Sequence, residues 1–72
     1  MAKKSSKTVH NRIRELRARH RITQAELAVA VDVSRQTIVA IEKEEYNPSV
    51  MLALKISKVL QEPVEVLFQL KE

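Results

Sequence analysis

Seventy-two residues allow one domain, and a chain this short buries only about 60 % of its unfolded surface, so it is marginal alone and a second copy would relieve it. The absence of cysteine excludes a disulfide framework and a thiolate metal site. Residues 1–36 hold nine Lys and Arg against three acids and residues 37–72 four against six, giving a net +4 with a basic front half that suits either a polyanion partner or a solvated face.

Apolar residues make up 44 % of the chain but aromatic ones only 3 %, Tyr46 and Phe68, so the core has to be aliphatic, as in a small helical bundle. No run approaches the roughly 18 apolar residues of a membrane span, and the start has charge without the apolar stretch of a signal peptide. A cytoplasmic protein is expected, with no membrane partner.

Residues 1–7, MAKKSSK, have almost nothing to bury and read as a flexible basic arm. It is either a solubilising tail or an arm that tracks a nucleic-acid backbone or enters a minor groove. A first helix is expected from about Thr8 or Val9, with Thr8 as cap and Val9, Ile13, Leu16 and His20 on one stripe. Arg12, Arg14 and Arg19 lie mostly off that stripe. His10 and His20 have no third ligand type near them, so no metal site is expected. No nucleophile stands with a base and an oxyanion stabiliser, and a chain without glycine has no phosphate-cradling loop. Neither an enzyme nor a cofactor is expected, and no small-molecule ligand is evident.

Thr23 and Glu26 have capping-box spacing, which starts a second helix at Gln24. It runs to about Val31, because Asp32 leads into Ser34, another good N-cap before an amphipathic run. A third helix then covers Arg35 to about Glu44, burying Ile38 and Ile41, with Val33 under the turn. Helix, short turn, helix is the helix-turn-helix unit. Arg35, Gln36, Val39 and Lys43 point away from its buried face. In the loop Tyr46-Asn47-Pro48-Ser49, Pro48 disfavours helix at Asn47 and Ser49 caps a fourth helix. That helix spans about Val50 to Leu60, with Leu52, Ala53, Ile56 and Leu60 inward. Pro63 fits the first turn of a last short helix, Val64 to about Phe68, although the alternation from Val64 to Leu70 is also strand-like. Val66, Leu67, Phe68 and Leu70 exceed what so small a core needs. A symmetric dimer burying them is the preferred expectation; the alternative is that Leu67 and Phe68 complete the monomer core.

TQAELA, VSRQTIVAIE and YNPS, in this order and with Ile13, Leu16 and LALKISKVL around them, resemble the helix-turn-helix family of phage repressors and Cro proteins. The similarity covers nearly everything from Val9 to Phe68. It implies an all-α, five-helix, lambda-repressor-like bundle over residues 8–72. Family members usually carry glycine at four places held here by Arg21, Asp32, Glu44 and Gln61, where left-handed backbone costs other residues roughly a kcal/mol. Either these side chains accept that conformation or the turns differ.

The resemblance also implies a partner and a site. The partner is double-stranded operator DNA, entered through the major groove by Arg35, Gln36 and Thr37. Arginine can bond guanine O6 and N7, glutamine adenine N6 and N7, and Val39 can meet a thymine methyl. Backbone contacts are expected from Gln24, whose amide stands at a positive helix end, and from Ser34, Lys43, Tyr46, Asn47 and Arg17. Arg17 is also matched to one half of a structural ion pair with Glu42. A homodimer would set two such units about 34 Å apart on a palindrome. The expected function is a transcriptional repressor. An antitoxin or restriction-modification controller of the same fold is the near alternative, and a protein-interaction adaptor the distant one.

Overall fold

Hydroxyl caps start three of the helices. The Thr23 Oγ1 accepts the Glu26 N–H at 3.0 Å while the Glu26 carboxylate accepts the Thr23 N–H at 2.9 Å, so the capping box is complete. Ser34 accepts the Thr37 N–H at 3.2 Å and Ser49 the Leu52 N–H at 3.0 Å. In the computed structural model, which describes residues 9–70, these caps open α2 (Gln24–Val31), α3 (Arg35–Glu42) and α4 (Val50–Leu60). Before them stand β1 (Val9–Asn11) and α1 (Ile13–His20); after them come α5 (Val64–Leu67) and β2 (Phe68–Leu70).

All four places where glycine is usual adopt left-handed backbone: φ is 58° at Arg21, 63° at Asp32, 64° at Glu44 and 57° at Gln61. Each is followed by an N–H that reaches back five residues to a helix carbonyl, from Ile22 to Arg17, Val33 to Ala28, Glu45 to Ala40 and Glu62 to Ser57. This is the Schellman closure, which satisfies carbonyls at a helix end. The turns are therefore the usual ones, made without the usual residue. Arg21 and Gln61 are exposed. Arg21→Gly and Gln61→Gly should each raise the unfolding free energy by about 0.5–1 kcal/mol. Urea denaturation checks this, as a higher midpoint at unchanged slope.

The core is aliphatic. Ile13 and Leu16 of α1 meet Leu27, Ala28 and Val31 of α2, Ile38 and Ile41 of α3, Leu52, Ile56 and Leu60 of α4, and Leu67 of α5. Ile22, Val33, Val59 and Phe68 pack against this cluster as half-buried neighbours. Ala53, expected inward, is half-buried and lies outside it.

Both ends of the chain depart from expectation. The bundle is not purely helical: β1 and β2 pair antiparallel, with Val9 opposite Leu70, His10 opposite Gln69 and Asn11 opposite Phe68. The first helix consequently begins at Ile13, not at Thr8 or Val9. The Arg12 N–H donates to the Leu67 carbonyl at 3.0 Å, and the Asn11 side chain accepts the Ile13 N–H at 3.2 Å in an Asx turn. The last helix stops at Leu67 because Phe68 is already extended (φ −127°, ψ 133°). The third helix ends at Glu42, two residues early, where the chain turns toward left-handed Glu44. The arm over residues 1–7 and the cap expected at Thr8 lie outside the described residues. Among those described, no helix is long and apolar enough to cross a membrane.

Candidate nucleic-acid interface

α3 is held from beneath by Ile38 and Ile41, each at most 1 % exposed. One helical face being fixed, the opposite one is presented: Arg35 and Gln36 are exposed at its start, Lys43 is exposed just past its end, and Val39 and Ala40 are half-buried between. Thr37 is half-buried too, with its hydroxyl 3.0 Å from that of Ser34. These two groups therefore serve the helix start as well as any ligand there.

A hydrogen-bonded chain ties the two ends of α3 to the rest of the molecule. Arg17 of α1 donates to both Glu42 carboxylate oxygens, at 2.7 and 3.3 Å, and to the Ile22 carbonyl at 2.9 Å. The Glu42 side chain is 2 % exposed and that of Arg17 14 %. From α2, the Gln24 amide donates to Glu42 at 3.0 Å and its carbonyl oxygen accepts from Arg35 at 3.1 Å. So the links run Arg17, Glu42, Gln24, Arg35. Gln24 joins two residues expected to have separate tasks, one in structure and one in reading bases. Arg17 turns most of its donors inward, which makes it chiefly a brace for α3.

Two of the three acids at the end of α3, Glu42, Glu44 and Glu45, are paired. Glu42 is neutralised by Arg17, and Glu44 lies 2.7 Å from the His10 Nδ1. Next to that contact, the Asn47 side chain accepts the Val9 N–H at 3.0 Å and the Asn11 amide donates to the Ile41 carbonyl at 2.8 Å. Thus β1 is stapled along the end of α3 and its following loop, where Tyr46 and Asn47 are exposed. The part of Val9 to Asn11 in placing this loop was not legible from the sequence, since a helix was expected there. Along α1, Glu15 bonds both Arg12 (2.9 and 3.0 Å) and Arg19 (3.2 Å). The Arg12 hydrogen bond holds the Glu15 carboxyl below its ordinary value, and the same bond raises Arg12.

The four residues expected at a dimer interface separate. Leu67 is 0 % exposed and belongs to the core, so it offers no surface to a partner. Phe68 is half-buried against the core, Val66 is half-buried, and Leu70 is 71 % exposed. Additional apolar surface lies on α4, where Val50 is 78 % and Leu54 54 % exposed. A shallow groove of about 170 Å³, lined by Val9, Pro48, Val50, Ala53, Val64 and Phe68 among others, connects α4 with the small sheet. Val50 and Leu54 sit one turn apart on a face that a search for the inward stripe of α4 passes over.

Among the described residues, no group of three or more His, Cys, Asp or Glu is placed to hold a metal ion. Residues 13–67 match a family model described as helix-turn-helix. A relative from Archaeoglobus fulgidus, named as an uncharacterised HTH-type transcriptional regulator, is 52 % identical over 60 residues, covering 83 % of this chain and 86 % of its own length. YgzD of Bacillus subtilis, likewise named as an uncharacterised HTH-type transcriptional regulator, is 48 % identical over 62 residues, covering 86 % and 94 %. The crystal structure of the restriction-modification controller protein C.AhdI from Aeromonas hydrophila aligns with a TM-score of 0.68 at 26 % identity, over 74 % of this chain and 80 % of that one. The fold, the capped pair α2 and α3, and these matches together place the chain in the XRE-type helix-turn-helix family of transcriptional regulators.

Proposed function

We propose that the chain is a sequence-specific DNA-binding regulator that lays α3 in the major groove of an operator. The observation that carries this is the bracing of α3 at both ends, by the hydrogen-bonded chain from Arg17 to Arg35, while Arg35 and Gln36 stand exposed. A reading helix needs that combination, since a base contact is specific only if its side chain is held in register. In the proposal Arg35, Gln36, Thr37 and Val39 meet base edges. Gln24, Ser34, Lys43, Tyr46 and Asn47 meet the backbone, with Arg17 positioning Gln24 through Glu42 more than touching phosphate. Repression follows from occupancy, because a bound protein blocks polymerase.

The reading unit is a homodimer. One α3 offers only a few base-reading side chains, and two copies double the site by reading a palindrome. The surface proposed for the contact is Phe68, Leu70 and Val66 of the C-terminal segment with Val50 and Leu54 of α4. Leu54→Glu combined with Leu70→Glu should shift the chain from dimer to monomer, by at least tenfold in dissociation constant, because each buries a charge in an apolar contact. Sedimentation equilibrium reads that shift, and circular dichroism verifies that both exposed positions leave the fold intact.

Selection of bound duplexes from a random pool tests the function itself. A palindromic winner supports a dimeric reader of sequence, whereas an unselective pool removes it. The likeness to the Aeromonas hydrophila controller favours a second reading, control of a restriction-modification system. A methyltransferase gene beside this one would support it.

A further inference from the structure

We infer that Arg14 is a phosphate-binding residue of the DNA interface, a role the helix pattern of α1 does not suggest; this rests on the regulator function proposed above. Arg14 projects from α1 with its side chain 76 % exposed, and its Nε stands 3.8 Å from the Glu42 Oε1, beyond hydrogen-bond distance. That oxygen already accepts from Arg17 and from Gln24. The other Glu42 oxygen accepts from Arg17 at 2.7 Å. Glu42 therefore spends its hydrogen bonds on Arg17 and Gln24, and Arg14 makes only a long, exposed ion pair with it.

The neighbouring carboxylates are occupied as well. A cleft of about 470 Å³ beside Arg14 is lined by His10, Arg12, Glu15, Glu42 and Glu44 among others. Of its acids, Glu15 bonds Arg12 and Arg19, and Glu44 meets His10. Arg12 and Arg19 share one carboxylate between them and are bonded to it directly; Arg14 has no such bond among the described residues.

The position of Arg14 connects it to the reading helix. Gln24 and Arg14 approach the same Glu42 oxygen, and Gln24 bonds Arg35 in turn. Along this line Arg14, Arg17 and Arg35 carry three positive charges against the single negative charge of Glu42, an excess of two. A guanidinium is a planar fork suited to two phosphate oxygens at once. An exposed one at the Glu42 end of α3, whose long ion pair there is with a carboxylate already hydrogen-bonded to Arg17 and Gln24, is matched to the phosphodiester backbone flanking the groove that α3 enters.

The test is a salt titration of the wild-type chain, Arg14→Gln, Arg14→Lys and Arg19→Gln on the selected duplex and on a scrambled duplex of equal length. Arg14→Gln should weaken binding to both duplexes by the same factor and make the slope of log affinity against log salt shallower by about 0.9 per copy bound. Its deficit then shrinks about three- to fourfold per copy between roughly 50 and 200 mM salt. Arg14→Lys keeps the charge and should keep the slope. Arg19→Gln, in which Glu15 retains Arg12, should keep it too. An unchanged slope in Arg14→Gln, a loss confined to the selected duplex, or an equal change in Arg19→Gln would overturn the assignment. Failure of the wild-type chain to prefer its selected duplex instead removes sequence reading, and Arg14 is then still judged by the slope on the scrambled duplex.

Discussion

Arg35→Ala combined with Gln36→Ala will remove most of the sequence preference of the chain and leave its fold intact. Each good bidentate contact to a base contributes about 1–3 kcal/mol of discrimination. Losing both therefore costs about 2–6 kcal/mol, from thirtyfold to beyond ten-thousandfold in the ratio of operator to unrelated DNA. The two changes should also separate: Arg35→Ala relaxes a guanine position and Gln36→Ala an adenine position. Because Gln24 accepts a hydrogen bond from Arg35 at 3.1 Å, Gln24→Ala should reproduce part of the Arg35 defect without touching a base. Thermal unfolding is expected to change little, since Arg35 and Gln36 are exposed. Competition titrations against single-base variants of the selected duplex provide the measurement.

Arg17→Ala will destabilise the fold by about 3–5 kcal/mol, because it leaves the Glu42 carboxylate, 2 % exposed, without its cation. In a domain of this size a loss of 1 kcal/mol lowers Tm by about 4–8 °C, so the change is visible in any thermal scan. Gln24 continues to donate to Glu42 and Arg14 stands close, which sets the effect toward the lower figure. Replacing both members with apolar residues, Arg17→Met with Glu42→Leu, should return most of the stability. It should not return DNA binding, because Gln24 then loses its acceptor and Arg35 its anchored neighbour. A double variant that is stable and still selective would show that the pair only stabilises. A single variant with unchanged Tm would show that the pair is not buried in solution.

The helices most tied to function were also the most legible. Thr23, Ser34 and Ser49 announce their helix starts by type and spacing, because a hydroxyl cap is a local interaction three residues long. The buried pair Ile38 and Ile41 leaves the outer face of α3 by subtraction. The left-handed residues were located only through a family habit of placing glycine there; no residue type in Arg21 or Gln61 signals positive φ. The sheet was not legible at one end. Val9 and Asn11 pair with Leu70 and Phe68 across nearly the whole chain, and a three-residue strand carries no periodicity that distinguishes it from a helix start. Leu67 illustrates the same limit: surplus apolar residues can be counted in sequence, but which of them the monomer buries depends on where β2 lies. Gln24 could be recognised as a helix-start amide, whereas its bonds to Glu42 and Arg35 require residues brought together by the fold.

One measurement tests the central claim, that α3 reads DNA bases, most directly: the ratio of affinities for the selected duplex and a scrambled duplex, at one fixed salt concentration, for the wild-type chain and for the Arg35→Ala, Gln36→Ala variant. A large wild-type ratio that falls by at least thirtyfold in the variant, with affinity for the scrambled duplex reduced only by the lost Arg35 charge, is the predicted result. A ratio unchanged by the double substitution would contradict the account and place sequence reading outside α3.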